Sequence, residues 1–131
     1  EQYDWWSSGE VRSDGYSGDS IVAVDFYRTR TDWAAEWLFS SLWEEEAHYP
    51  ERFRKNQEQF IHPTVLTVHQ PLQAVALPSL DSLEYTILQY DDDPPNHIYL
   101  GRRGNQVFRL LCRGVPDQAE CLELFLAQLD P

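Results

Sequence analysis

Methionine is absent from this 131-residue chain, lysine occurs once, at Lys55, and cysteine twice, at Cys112 and Cys121. Each scarcity narrows the reading. A chain that begins at Glu1 without methionine is expected to be processed or trimmed ahead of that residue. With 22 acidic side chains against 10 lysines and arginines the net charge is −12. Such a field repels nucleic acid and anionic membrane surfaces, and it attracts a basic protein or a cation. No apolar run approaches the roughly 20 residues of a membrane-spanning helix. The two cysteines are not spaced C-x-x-C, which excludes a thioredoxin-like redox site. Glycine-rich phosphate loops are missing too, since "GRRG" at Gly101–Gly104 reads as a hairpin tip rather than a strand-to-helix cradle.

The catalytic motifs are equally sparse. No serine sits in a Gly-x-Ser-x-Gly elbow, and "SSLW" falls inside a predicted helix, a poor setting for an exposed nucleophile. The histidines His48, His62, His69 and His97 contain no i, i+4 pair, so no zinc site is expected. Carboxylates are so abundant that pairs of them discriminate nothing. The expectation is a protein with no catalytic residues, metal or cofactor.

What is present suits a folded domain. An aromatic content of 14% supplies bulky core material, and the length fits one domain with a sizeable core. Residues 1–19 are polar and rich in Gly and Ser around an aromatic knot at Tyr3, Trp5 and Trp6. They read either as a tether, such as the spacer behind a lipidated residue, or as an edge segment folding back through Trp5 and Trp6. Residues 20–131 read as the single domain. "SIVAVDFYR" (20–28) has the β-branched and aromatic composition of a strand. A helix follows, with Asp32 as its cap and Pro50 as its stop, and Pro50 can open a short second helix, "PERFRKNQEQF". Residues 64–70, 72–78 and 83–90 are strand candidates, "DDDPPN" (91–96) is a turn, and "HIYLGRRGNQVFRLLCR" is a hairpin whose loop is the basic "GRRGN" (101–105). In its second arm Phe108, Leu110 and Cys112 share one face, and Val107, Arg109, Leu111 and Arg113 the other. The closing "PDQAECLELFLAQL" is a helix with Leu122, Phe125, Leu126 and Leu129 in one stripe. The order implies an α+β fold, an antiparallel β-sheet with helices packed on one face.

Cys112 falls at the end of a buried strand face and Cys121 about one turn into the next helix. A short strand-to-helix turn brings such positions within disulfide reach. The alternative is two buried thiols packing as small hydrophobes. A disulfide favours an oxidising compartment, hence a periplasmic or otherwise exported protein.

Two acidic clusters stand out. "WEEEAHY" sets Glu44, Glu45 and Glu46 between Trp43 and Tyr49, and "YDDDPPNH" sets Asp91, Asp92 and Asp93 after Tyr90. They read either as solvated surface or as an acidic, aromatic-rimmed contact for a basic partner. Calcium fits less well, because the aspartates lack the alternating spacing and distal Glu of an EF-hand loop.

The strand "IVAVDFYR" leading into a helix, the hairpin "HIYLGRRGNQVFRLLCRG" and the closing "VPDQAECLELFLAQL" give an order of elements that resembles the PsbP-like α+β fold. That fold occurs in small bacterial exported lipoproteins and secretion-associated accessory proteins, and the resemblance covers residues 20–130 in outline. In size, acidity and lack of catalytic motifs the chain is also similar in type to periplasmic immunity proteins that neutralise type VI secretion effectors. These resemblances imply a non-enzymatic exported inhibitor that occludes the active site of a basic cell-wall- or membrane-degrading toxin, with a membrane tether if the N-terminus is lipidated. The alternative they leave open is an envelope-accessory lipoprotein that binds a small or lipidic ligand in an aromatic pocket.

Overall fold

Residues 3–11, 21–114 and 118–128 are described by the computed structural model. In chain order they form β1 (Tyr3–Val11), β2 (Ile21–Thr29), α1 (Asp32–Gln57), β3 (Leu66–His69), β4 (Gln73–Ala74), β5 (Ser82–Tyr90), β6 (Asn96–Arg103), β7 (Gln106–Arg113) and α2 (Gln118–Ala127). The strands make one sheet in the order β1-β2-β7-β6-β5-β3, with the short β4 also paired to β5, and every pairing is antiparallel. This is the α+β architecture expected from the sequence.

The centre of the sheet is the β6–β7 hairpin. Its loop is only Gly104 and Asn105, with Gly104 at φ 58°. A positive φ at the first of two loop residues is the type II′ arrangement, whose twist matches that of the flanking strands and which favours glycine there. The loop is thus shorter than the five residues expected. Gly101 instead lies within β6 opposite Phe108, where a Cβ would collide with the Phe108 ring. Glycine here makes room for an aromatic side chain across the ladder.

Both faces of β7 are used. Phe108, Leu110 and Cys112 join Val24, Phe26, Leu83 and Tyr99 in one core cluster, covered by Leu122, Phe125 and Leu126 of α2. The Phe108 and Phe125 rings lie 4.7 Å apart, centroid to centroid. On the other face, Ile98 joins Leu66 and Leu88, with Leu111 beside them and Tyr49 and Phe53 of α1 packed on top. The helices therefore occupy opposite faces of the sheet, one each, rather than sharing one. The cause is that β6 and β7 are apolar on both sides, and two hydrophobic faces need two covers. Leu129 of the expected stripe, and Pro116 and Asp117, lie outside the described residues.

Two further expectations change. Tyr3–Val11 does not hang as a tether: it pairs with β2 along its length, with an irregularity between Ser7 and Gly9, as the edge-segment reading requires. Tyr and Trp are β-favouring residue types, and β2 offers an otherwise open edge. The sheet thus draws in chain ahead of residue 20, while residues 12–20 lie outside the described residues. Nor does Pro50 end the helix. α1 runs continuously to Gln57 with a buried Pro50 inside it. Tyr49 and Phe53, on either side, anchor this stretch on the sheet. That packing outweighs the hydrogen bond and clash penalty of about 3 kcal/mol typical of an interior proline. The cap is Thr31, whose hydroxyl oxygen accepts from the Ala34 N–H at 3.0 Å, and Asp32 is the first helical residue.

Cys112 and Cys121 form a disulfide, with Cα atoms 6.8 Å apart, joining the end of β7 to α2. Both are buried in the cluster under α2. No helix among the described residues is long and apolar enough to cross a membrane.

Candidate functional site

The two acidic clusters behave differently once folded. Glu44 and Glu45 are exposed near the middle of α1, away from its C-terminal end. Glu44 lies 3.6 Å from His48 Nδ1. Glu46, by contrast, points inward. Its side chain is 9% exposed and forms an ion pair with Arg109 of β7 through Nε. This acid pins α1 to the sheet and is not part of an acidic surface. Removing one partner would leave a buried charge unmatched, which is costly.

The expected aromatic anchors also face inward. Trp43 Nε1 donates to Glu84 Oε1 at 3.1 Å. The Tyr49 and Tyr90 hydroxyls are hydrogen-bonded at 2.7 Å, and Phe53 sits edge-on to Tyr90 with ring centroids 5.0 Å apart. Burial, and then the bond to Tyr49, push the Tyr90 phenol well above its ordinary pKa, so it stays a neutral hydroxyl. These aromatics seam helix to sheet; Tyr49 and Tyr90 bring the two sequence clusters side by side.

Asp91, Asp92 and Asp93 are all exposed in the β5–β6 turn. Asp91 has φ 47°, in the left-handed region that Asp and Asn tolerate better than other non-glycine residues. Two reciprocal bonds fix it to the α1–β3 connection: its N–H donates to the Val65 carbonyl at 2.8 Å, and its Oδ1 accepts from the Val65 N–H at 3.0 Å. The Thr67 hydroxyl donates to the Asp91 carbonyl at 2.9 Å. The acidic turn is thereby tied to a connection that displays apolar side chains. Phe60, Ile61 and Val65 are all largely exposed, Ile61 at 92%.

Sequence patterning gave no sign of these three, because burial of an isolated apolar residue in a polar connection depends on tertiary contacts. The basic tip expected at residues 101–105 is internally engaged instead. Arg102 pairs with Asp81 at 3.5 Å and Glu36 at 3.9 Å, and the Gly104 N–H donates to Asp81.

Beside the Tyr49–Tyr90 pair a cleft of about 270 Å³ opens between α1 and the sheet. Its polar lining includes Arg109, Arg113 and Asn96, over a floor of Ile98 and Leu111. A second cleft of similar size lies along α1 at Trp43, Glu46 and His69. Among the described residues no three His, Cys, Asp or Glu side chains gather as a metal set would.

No family model matches the chain, and no curated protein matches its sequence. The functional reading rests on the surface and the clefts themselves.

Proposed function

We propose that this protein is a non-enzymatic, exported inhibitor of the immunity type, which binds a basic effector and covers its active site. The observation that carries the reading is the display of Phe60, Ile61 and Val65 beside the exposed turn Asp91–Asp93, held together by the Val65–Asp91 bonds. Exposed apolar side chains of this size on a hydrogen-bonded connection are the kind of group that anchors a partner, while adjacent acids choose a basic one and raise the rate of encounter. A net charge of −12 extends that attraction over the whole molecule. A disulfide between β7 and α2 suits an oxidising compartment.

The test is protection. Directed to the periplasm, the chain should rescue cells from a basic secreted effector encoded beside it, and the purified pair should form a complex. An effector that remains equally toxic, with no complex formed, would sink the reading. The cleft beside Tyr49 and Tyr90 favours a second reading, an envelope-accessory protein that carries a small or lipidic ligand there.

A further inference from the structure

We infer that the cleft between α1 and the β5–β6–β7 face is a binding site for a small organic carboxylate with an apolar body and a hydrogen-bond donor next to its acid group. The inference sharpens the ligand-binding reading and makes no use of the partner surface at Phe60, Ile61 and Asp91–Asp93.

Two arginines line this cleft in a chain that has only ten lysines and arginines and a net charge of −12. They are not equivalent. Arg109 is matched by Glu46, so that pair contributes no net charge. Arg113, at the end of β7, is half-buried and has no ion-pair or hydrogen-bond partner among the described residues. It is a fixed positive charge facing a partly dry space, and a carboxylate is the planar anion its forked donors match.

Asn96 supplies the second requirement. Its side chain belongs to a residue only 6% exposed. Its Nδ2 donates to the Leu88 carbonyl at 3.3 Å. Because the group facing a carbonyl must be the amino end, that bond fixes the orientation of the amide and leaves Oδ1 as an acceptor with no partner among the described residues. A buried acceptor left unpaired keeps the cost of its lost hydration, so a ligand N–H or O–H aimed at it recovers that loss. Asn96 and Arg113 are directly opposed across β6 and β7, which puts the wanted donor beside the wanted anion.

The remaining walls set size and polarity. Tyr49 and Tyr90 share one hydroxyl proton between them, so the other hydroxyl proton is available to the ligand. Ile98 and Leu111 form an apolar floor. At about 270 Å³ the cleft is smaller than most drug-sized sites, which start near about 300 Å³, so the ligand is small. N-acylated apolar amino acids have all the required parts: carboxylate, adjacent N–H and aliphatic side chain.

The experiment is an NMR titration of the intact, disulfide-bonded protein with N-acetyl-leucine. A ligand of this size binds at millimolar concentration or tighter if its few atoms are well used. Expected are saturable shifts of the Asn96 side-chain amide and of the Ile98 and Leu111 methyls. N-acetyl-leucine methylamide, which lacks the charge, should bind at least about tenfold more weakly, as should isovalerate, which lacks the donor. Arg113→Gln should weaken N-acetyl-leucine about tenfold or more, and Arg113→Lys less, with thermal unfolding of both variants close to wild type. If either variant fails to fold, the three-ligand comparison on the wild type decides alone. The inference is overturned if wild type shows no saturation, if the methylamide binds as well as the acid, or if a folded Arg113→Gln binds unchanged. No partner protein enters this titration, so its failure leaves the inhibitor reading untouched, and failed protection by the chain leaves the cleft untouched.

Discussion

At the scale of single residues, the positions that matter most are those where a side chain has no room to change. Gly101 faces Phe108 across the β6–β7 ladder, and any Cβ would run into that ring. Phe108 is fully buried and packs against the tilted ring of Phe125, so it cannot swing aside without disturbing α2. Gly101→Ala is expected to destabilise by about 1–3 kcal/mol, the usual cost of overpacking, and a urea unfolding curve will read it as a lower midpoint.

His97 offers a pH test at the same scale. Its Nδ1 is 2.6 Å from the Tyr85 hydroxyl, and burial lowers its pKa below the ordinary 6.5. A folded pKa below the unfolded one means that the unfolded chain takes up the proton first. The contribution of His97 is therefore whole above about pH 6.5 and declines as pH falls toward the folded pKa. Unfolding midpoints measured across that window should fall with acidification, and His97→Gln should flatten that part of the slope. An unchanged slope would mean that another group is responsible.

At the scale of elements, the sequence was most legible where periodicity was strict. β7 could be read residue by residue, and its alternating faces are those found: Phe108, Leu110 and Cys112 on one side, Leu111 on the other. The turn at Asp91 and the bridge from Cys112 to Cys121 were visible for the same reason, because local chemistry decides them. Legibility failed where distant contacts decide. Pro50 has the local meaning of a stop, yet the grip of Tyr49 and Phe53 on the sheet carries α1 through it. Glu46 is one of three consecutive glutamates, and only the fold selects it for Arg109. Arg113 and Asn96 sit 17 positions apart and meet only through the register of β6 on β7. The disulfide is the element-scale feature most open to test. It closes a short loop, with its cysteines nine positions apart, and such a link stabilises by roughly 2–3 kcal/mol in the chain-entropy account. Replacing both cysteines with alanine should lower stability by about that much and loosen α2 first. Amide exchange in Cys121–Ala127 should then quicken more than in β6.

At the scale of the whole molecule, charge and shape make different demands on a partner, and kinetics can separate them. Long-range attraction acts on association and is screened by salt, whereas an apolar anchor acts on dissociation. Asp92 and Asp93 are the useful charges to reverse, because Asp91 holds the Val65 N–H and its loss would disturb the turn itself. With the cognate effector, Asp92→Lys with Asp93→Lys should slow association, most strongly at low salt, and should leave dissociation nearly unchanged. Glu44→Lys with Glu45→Lys provides the comparison, since these acids lie on the exposed side of α1. A slower association from both pairs would indicate steering by the net charge of −12, and a larger effect from the aspartates would locate the contact at the β5–β6 turn. Ile61→Ala should instead speed dissociation, at a cost on the order of 2 kcal/mol if this 92% exposed side chain is buried by the partner. Surface plasmon resonance at two salt concentrations reads both rates in one series. If neither the aspartates nor Ile61 alters either rate while the complex persists, the partner binds elsewhere. Trp33 and Trp37, exposed one turn apart near the start of α1, would then be the next surface to vary.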